Sequence, residues 1–332
     1  MRTVTIEGNS SITVINAPDP VPGPGEVLID TAVSALCGSE LGSYRGKGMK
    51  SGNSGHEAAG VVSAIGEGVA DLEVGQRVGV SAIAGCGNCP YCARGQYTWC
   101  PDRKFYGSMH AERFLAAANA CHRLPDDIPW DVGVLVSGDG LGVPFHTSTK
   151  IDSPDITTIA VIGAGPIGLG SVLLQSYLGR RVAAVDVSPP RLELSTALGA
   201  ERVFDANEAD AAETIREWTR GTGADACIEA AGCPGTLKQC FAAVRPGGTV
   251  AINGEQPSVE LSPSNDFIRR DITALGAWYY HFSEFENMVA LCRDGLQVEK
   301  LITNDYSLEE ADEAFKEFAS GTSGKIILRM KD

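Results

Sequence analysis

Four cysteines near residue 90 have the spacing of a metal site. Within fifteen residues the sequence is C-x2-C-x2-C-x7-C, formed by Cys86, Cys89, Cys92 and Cys100. Four thiolates can surround one tetrahedral zinc ion at Zn–S distances of about 2.3 Å, which leaves no open position on the metal. The spacing therefore predicts a structural zinc that folds a lobe with little core of its own. Free thiols and an iron–sulfur cluster are the alternatives.

A glycine-rich hexapeptide predicts a dinucleotide site. It follows the apolar run TTIAVI, opens an apolar helix, and consists of Gly163-Ala164-Gly165-Pro166-Ile167-Gly168. In that context the first glycine allows a tight turn, the second lets the backbone approach a pyrophosphate, and the third allows close helix–strand packing. The N–H groups at the start of the helix attract the phosphates. We therefore assign cofactor binding to Gly163, Gly165, Pro166, Ile167 and Gly168.

Asp186 favours NAD as the dinucleotide. This residue ends the next predicted strand, 23 residues after Gly163. A carboxylate there accepts hydrogen bonds from both ribose hydroxyls and repels a 2′-phosphate. Arg191 is close enough in sequence to hold such a phosphate, so NADP remains the less favoured alternative. A glycine-rich turn with no nucleotide is the other interpretation.

The elements that would position these motifs predict two domains. Residues 1 to about 145 are short β-like runs separated by glycine and proline, such as EVLIDTAVSAL and QRVGVSAIAG. From TTIAVIGAG onward strands and helices alternate, which indicates a parallel sheet with crossover helices. Two helical stretches and a strand, KIILRM, follow after about residue 277. A length of 332 residues also exceeds what one hydrophobic core usually serves.

Composition argues against several classes of partner. The net charge of -15 repels nucleic acid and anionic lipid, so we expect neither nucleic acid nor membrane partners. The start, MRTVTIEGNSSITVI, lacks the pattern of a signal peptide, which predicts a cytoplasmic location. In that compartment ten cysteines favour metal binding or reactive thiols over disulfides.

Several ordered motifs resemble the zinc-containing medium-chain alcohol dehydrogenase family over nearly the whole chain. They are C-G-S at Cys37, G-H-E at His56, the four-cysteine lobe, H-R-L-P-D-D at His122, the glycine turn with its aspartate, and R-P-G-G at Arg245. The resemblance implies an α/β fold with a GroES-like β-barrel catalytic domain over residues 1–146, its zinc lobe at about 85–101. It further implies a Rossmann doubly wound parallel sheet over 147–276 and a segment, 277–332, that rejoins the catalytic domain.

The resemblance also implies a second, catalytic zinc, and so two zinc ions per chain beside NAD. Cys37 and His56 match the first two ligands, and Glu57 matches a glutamate that either binds zinc or approaches it. Counting back from the helical His146 places Asp139 at the third ligand position, within residues that depart from the usual E-P pattern. Three ligands leave one position for a substrate hydroxyl, whose deprotonation the ion favours. The hydride then passes to the nicotinamide.

Ser39 matches the family's hydroxyl residue that accepts the alcohol proton. Many members carry a histidine three residues later as the outer base of the relay, where this chain has Gly42. The proton route beyond Ser39 therefore stays open, with the cofactor ribose and water as one course. Glu40 stands where aspartate is more frequent.

C-G-S followed by an acidic residue resembles polyol, threonine and aminocyclitol dehydrogenases more than ethanol-type enzymes. This implies a secondary alcohol or ketone of a small polar substrate, such as a polyol, sugar, cyclitol or aminocyclitol. Tyr44, Arg45 and His110 are candidates to hydrogen-bond it, with ordinary packing as the alternative. L-threonine or a simple secondary alcohol is a second substrate choice, and a non-catalytic NAD-binding relative is a different class of function. Family members form homodimers or homotetramers, and the strand around Gly248 to Gln256 is a candidate for pairing across a two-fold axis.

Overall fold

Short strands dominate both ends of the chain and alternate with helices in its middle. The strands are Arg2–Gly8 (β1), Ser11–Asn16 (β2), Glu26–Ala35 (β3), Ala58–Ile65 (β4), Arg77–Val80 (β5), Ile83–Ala84 (β6), Lys104–Phe105 (β7), Arg113–Ala117 (β8), Cys121–Arg123 (β9), Thr158–Ile162 (β10), Arg181–Asp186 (β11), Arg202–Asp205 (β12), Ala224–Glu229 (β13), Val244–Ile252 (β14), Thr273–Gly276 (β15), Ile302–Ser307 (β16) and Lys325–Arg329 (β17). The α-helices are Leu41–Arg45 (α1), Trp130–Val136 (α2), Asp139–Lys150 (α3), Pro166–Tyr177 (α4), Pro189–Ala197 (α5), Ala211–Trp218 (α6), Pro234–Ala243 (α7), Phe285–Arg293 (α8) and Ala311–Ser320 (α9).

The computed structural model describes residues 1–330 and divides them into two units. The first unit comprises Met1–Gly142 and the residues from Tyr279 onward, and the second comprises Val143–Trp278. The sequence predicted domain boundaries at 146/147 and 276/277. Every helix within the described residues is too short or too polar to cross a lipid bilayer.

The first unit is built on a mostly antiparallel sheet. Its strand order is β16-β17-β3-β4-β5-β9, and β8 also pairs with β3. The C-terminal strand β17 pairs antiparallel with the end of β3, with Leu328 opposite Ser34. The amphipathic helix α9 packs Phe315 and Phe318 against β1, β2 and β17, and it ends at Gly321 in the left-handed conformation that a helix terminus favours. Residues from the end of the chain therefore lie beside the loop that follows β3.

The second unit is a parallel sheet with helices, as the alternating pattern predicted. Its order is β12-β11-β10-β13-β14-β15, and the apolar strand β10 lies near the centre because it is buried on both faces. Counted within the unit, this is the doubly wound order 3-2-1-4-5-6. The fold class predicted from the sequence is confirmed.

One expectation about this sheet is wrong. The stretch around Gly248 to Gln256 was a candidate for pairing with a second subunit, but its strand β14 already bonds to β13 on one side and to β15 on the other. Residues 249–252, which are hydrogen-bonded to a strand on each side, therefore have no free edge to offer another chain. At that end of the sheet the edge strand is β15, Thr273–Gly276.

Candidate functional site

Cys37 lies just beyond the end of β3. Pairing of Leu36 with Ile326 continues the sheet to this point, because the Leu36 N–H donates to the Ile326 carbonyl at 2.9 Å. The chain then turns into a short helix, Gly38–Glu40. The Cys37 N–H donates to Oε1 of Glu40 at 2.9 Å, and the thiol is buried. The sheet and this turn therefore hold the thiol in one place.

His56 precedes strand β4, which pairs with β3. Its Nδ1 lies 2.8 Å from the Ser54 carbonyl oxygen, so Nδ1 is a donor to that carbonyl. Metal-binding histidines commonly have this arrangement, in which the second nitrogen donates to a carbonyl. Nε2 faces Asp139 Oδ2 at 3.2 Å, and a metal bound there would take the place of the proton on Nε2.

Asp139 brings a carboxylate to both residues from the first turn of α3. Its Oδ2 lies 3.2 Å from the Cys37 sulfur and 3.2 Å from Nε2 of His56. With Glu57 included, one donor atom from each of the four residues lies within 4.8 Å of the others. Residues distant in sequence, which the resemblance grouped as a metal site, are together in the structure.

Lys325 is a part of this cluster that the sequence reasoning missed. It begins β17, is 1% exposed, and forms an ion pair with Oε1 of Glu57. Its ammonium also donates to the Leu36 carbonyl at 3.2 Å. The other carboxylate oxygen of Glu57 accepts from the Gly140 N–H at 3.2 Å, which ties Glu57 to the start of α3. The only hint in the sequence is a lysine that directly precedes the apolar run IIL.

The charges of the cluster fit a divalent cation. With Cys37 as thiolate, the side chains of Cys37, Glu57 and Asp139 each carry one negative charge. Lys325 carries one positive charge, so the cluster has a net charge of two negative units. Burial raises the pKa of the Cys37 thiol, and the Asp139 carboxylate raises it further. A zinc ion would neutralise the remaining charge and favour the thiolate. The thiolate, imidazole and carboxylate donors are of the kinds that zinc takes in proteins.

Burial alone would lower the pKa of Lys325, but Glu57, Cys37 and Asp139 raise it overall. The ammonium therefore stays charged at neutral pH. It offsets the charge of Glu57, which leaves Asp139 as the carboxylate beside Cys37 and His56.

The four cysteines of the lobe also converge. The sulfurs of Cys86 and Cys92 are 3.9 Å apart and those of Cys89 and Cys92 are 3.4 Å apart. Thiolates bound to one tetrahedral zinc lie about 3.8 Å apart, whereas a disulfide would require about 2.0 Å. The Cys92 backbone N–H lowers the pKa of the Cys89 thiol to about 7, which favours a thiolate. The lobe fits a zinc ion.

Aromatic contacts join the lobe to the returning C-terminal part of the first unit. Tyr97 stacks on Phe282 at 4.9 Å between ring centroids, and Trp99 meets His281 edge-on at 4.5 Å. The Thr98 hydroxyl lies 2.8 Å from Nδ1 of His281. A loop with little core is thus supported on both sides, by its own cysteines and by these rings.

In the second unit, the glycine turn has the geometry that its sequence predicted. Gly163 has φ +98°, and a Cβ there would lie 2.6 Å from the Ala231 nitrogen. A Cβ on Gly168 would lie 1.8 Å from the Gly163 carbonyl oxygen, so only glycine allows this helix–strand distance. At Gly165 the nearest atom would be Arg191 Nη1 at 3.9 Å, which leaves the backbone open to a ligand. Pro166 and Ile167 begin α4 directly after it.

Asp186 lies at the end of β11, beside this turn. Its Oδ2 accepts from the Ala164 N–H at 2.6 Å and its Oδ1 from the Ser188 N–H at 2.9 Å. Burial lowers the pKa of Arg191, although Asp186 opposes that shift. The carboxylate and the guanidinium therefore both lie near the turn, and Asp186 is fixed by backbone hydrogen bonds.

The candidate substrate contacts have other partners. Tyr44 is 1% exposed and packs on Phe315 at 5.4 Å, while Arg45 donates to the Ala319 carbonyl at 2.8 Å. His110 is buried against Glu40. The packing interpretation of these three residues is therefore the better one. Ser39 is exposed beside Cys37, and a Cβ at Gly42 would meet no atom within 4 Å.

Comparison with known proteins gives two family matches. The model described as "Alcohol dehydrogenase GroES-like domain" matches residues 23–126, and that described as "Zinc-binding dehydrogenase" matches residues 166–294. L-threonine 3-dehydrogenase of Pyrococcus abyssi is 32% identical over 94% of this chain and 93% of its own length. Sorbitol dehydrogenase of Bacillus subtilis is 29% identical over 95% of this chain and 93% of its own length.

Solved structures are similar over the whole chain. The alcohol dehydrogenase TADH from Thermus sp. ATN1 has a TM-score of 0.87 at 29% identity and covers 100% of both chains. Galactitol-1-phosphate dehydrogenase from Escherichia coli has a TM-score of 0.87 at 27% identity and covers 99% of this chain and 100% of its own. These relatives are thus named for sorbitol, for L-threonine, for galactitol 1-phosphate and, in one case, for an alcohol without further detail.

Proposed function

Because the chain belongs to the zinc-containing medium-chain alcohol dehydrogenases, and is thus a zinc-dependent, NAD-linked alcohol oxidoreductase, we propose that its substrate is a small polar secondary alcohol or the matching ketone. The observation that carries the alcohol chemistry is the convergence of the donor atoms of Cys37, His56, Glu57 and Asp139 within 4.8 Å of one another. The relatives named for sorbitol and L-threonine support a polyol or an amino alcohol, and sugars and cyclitols share the same chemistry.

We assign the catalytic zinc to Cys37, His56 and Asp139. Glu57 has a charged partner in Lys325 and a backbone donor in Gly140, so both of its oxygens are engaged. Asp139 instead faces the other two ligands directly, with Oδ2 3.2 Å from the Cys37 sulfur and 3.2 Å from Nε2 of His56. Glu57 then anchors the start of the helix that carries Asp139. When bound, the zinc acts as a Lewis acid that lowers the pKa of a substrate hydroxyl.

Oxidation of the alcohol also requires transfer of its hydroxyl proton and of a hydride from its carbon. Ser39, exposed beside Cys37, accepts the hydroxyl proton and passes it to water, since Gly42 supplies no side chain to relay it. NAD, when bound, would supply the acceptor for the carbon-bound hydride, so that oxidation of the alcohol would be balanced by reduction of NAD. In the reverse direction the same groups reduce the ketone.

NAD binding rests on the glycine turn and Asp186. The open backbone at Gly165 and the N–H groups at the start of α4 suit a pyrophosphate. The fixed carboxylate of Asp186 favours ribose hydroxyls and disfavours a 2′-phosphate. Arg191 is the residue that would favour NADP, so Asp186→Ser should raise activity with NADP relative to NAD.

We further propose a cytoplasmic homo-oligomer, a dimer or a tetramer. Thiolate sites such as the two described here persist where thiols stay reduced. The exposed edge strand Thr273–Gly276 has backbone N–H and C=O groups that could pair with a strand of a second subunit. Light scattering that gives a multiple of the 34.9 kDa chain mass supports the oligomer, and a mass of one chain contradicts it.

The test of the activity follows absorbance of reduced nicotinamide with NAD and NADP in turn. The panel contains polyols, sugars, cyclitols, amino alcohols including L-threonine, and simple alcohols. Chelator-sensitive reduction of NAD by one polar class, from protein with two zinc ions per chain, supports the proposal. Activity with simple alcohols alone would overturn the polar substrate.

The metal assignment is tested with variants. Cys37→Ala and Asp139→Asn should each lose one zinc and turnover, whereas Cys292→Ala, a half-buried cysteine of α8 outside both clusters, should keep both. Retention of both zinc ions in Asp139→Asn would move the third ligand to Glu57.

A further inference from the structure

A buried pair of side chains outside the ligand set lies between the loops that carry Cys37 and His56. Glu40 is 1% exposed and His110 is fully buried. Nε2 of His110 lies 3.2 Å from Oε1 and 3.1 Å from Oε2 of Glu40. Because Nε2 faces both carboxylate oxygens, which only accept hydrogen bonds, this nitrogen carries the proton.

The carboxylate of this pair holds the backbone of Cys37. Oε1 of Glu40 accepts the Cys37 N–H at 2.9 Å as well as facing His110. Any movement of the Glu40 side chain therefore moves the turn from which the thiol projects. The acidic side chain is a contact of the ligand backbone and is not itself placed among the ligands.

The imidazole of the pair holds the peptide that precedes His56. A Cβ at Gly55 would lie 2.7 Å from the His110 ring, so the ring rests directly on the Gly55 backbone. The amide oxygen of Asn53 accepts from both the Gly55 and the His110 N–H, at 3.1 and 3.2 Å. The Met109 N–H donates to the Gly55 carbonyl at 3.1 Å. Residues 109 and 110 thus fix the backbone next to the second ligand.

The imidazole is itself held on its other side. Nδ1 lies 2.8 Å from the hydroxyl of Ser34, a residue of β3, and Phe315 covers the ring edge-on at 6.0 Å between centroids. Both ring nitrogens have partners in a site without solvent access, so the ring has one orientation. A polar network that is fully satisfied and buried is rigid.

We propose that Glu40 and His110 are a positioning pair that fixes the Cys37 loop against the His56 loop and so sets how tightly, and in which geometry, the catalytic zinc is held. The inference rests on the metal site of the proposed function. Partners of metal ligands commonly change metal affinity or activity by about 10–100-fold when they are replaced. An aspartate at position 40 would fall short of His110 by one methylene, about 1.5 Å, so the pair requires glutamate.

The test measures release of the two zinc ions to a chromogenic chelator from the whole protein. His110→Phe and Glu40→Asp should each release one zinc about 10–100-fold faster, while the zinc of the four-cysteine lobe leaves at the unchanged rate. Glu40→Gln, whose amide oxygen can still accept the Cys37 N–H, should have a smaller effect. After cobalt substitution, the thiolate-to-cobalt absorption band should shift in His110→Phe and Glu40→Asp, because that band depends on the position of the Cys37 sulfur.

The control is Phe318→Leu, which loses a buried ring of α9 and should lower the unfolding temperature without changing zinc release. If Glu40→Asp and His110→Phe lower the unfolding temperature but release zinc at the wild-type rate with an unshifted cobalt band, the pair is only structural and the inference is wrong. If the wild-type protein binds a single zinc, the catalytic site itself is wrong, and the proposed function fails first.

Discussion

Replacement of Lys325 by methionine should show how much the free energy of unfolding depends on the one ammonium group in the buried metal centre. The side chain is 1% exposed and its charged partner, Glu57, is fully buried. Methionine retains the length and the apolar character of the lysine chain but leaves the Glu57 carboxylate without its cation. The carboxylate cannot turn to water, because its other oxygen holds the Gly140 N–H inside the same cluster.

The magnitude follows from the kind of pair that is broken. Removal of one partner of a buried ion pair costs about 3–5 kcal/mol of unfolding free energy, because the other charge stays buried and unpaired. A bound zinc should reduce this loss, since it supplies positive charge to the same carboxylates. The double variant Lys325→Met/Glu57→Gln should recover most of the loss, because both charges are gone and the amide can still accept from Gly140.

The assay is urea unfolding, with excess zinc and again after treatment with a mild chelator. Lys316→Met is the matched control, since Lys316 pairs with Asp312 one turn away on α9 but its side chain is 59% exposed. We expect that control to change the unfolding free energy by less than about 0.5 kcal/mol. The reasoning about Lys325 is refuted if Lys325→Met is no more destabilising than the control, or if the double variant is worse than the single one.

Three further outcomes are expected. Gly165→Ala should keep the urea midpoint of unfolding but raise KM for NAD on the order of tenfold, which corresponds to one lost contact of about 1.4 kcal/mol. Gly168→Ala should instead lower that midpoint, because its Cβ would lie 1.8 Å from a carbonyl oxygen. Equal effects of the two variants on the midpoint would contradict this prediction. Burial against aromatic rings lowers the pKa of His122 to about 3. Between about pH 6.5 and pH 3 the unfolded chain therefore binds a proton that the folded chain does not. The free energy of unfolding should fall as the pH drops through this range. His122→Phe should flatten that part of the profile in urea titrations at several pH values, and an unchanged slope would assign the pH dependence to other groups. Cys92→Ser should remove one zinc per chain and open residues 86–100 to limited proteolysis, and a lobe that stays resistant would show that its aromatic contacts suffice.

The fold was accessible from the sequence because its signals are local. Apolar strands, helices of regular period and the glycine turn of Gly163 to Gly168 each act over a few residues, and they predicted the parallel sheet. The role of β14 was predicted wrongly because strand order is not local. The pattern of Gly248 to Gln256 shows a buried strand, but it does not show that Thr273–Gly276 would cover its second edge.

The candidate site was accessible only in part, for a similar reason. Cys37, His56 and Asp139 were grouped by resemblance, and the structure places their donor atoms together. Lys325 and the contact between Glu40 and His110 had no motif to mark them, because each depends on pairing between distant segments. His110 in particular was considered for the substrate, since a polar residue in a sequence does not reveal that it is buried against a carboxylate.

The pairing of β17 with β3 also affects the order in which the protein can be completed during synthesis. Lys325 donates to Leu36 across 289 residues of chain, and β17 lies between β16 and β3 in the sheet. The second unit is one continuous stretch, Val143–Trp278, and domains generally fold as units during synthesis. The contacts that Leu36, the neighbour of Cys37, makes with Ile326 and Lys325 therefore form only after β17 has been synthesised, so this side of the Cys37 loop is completed late.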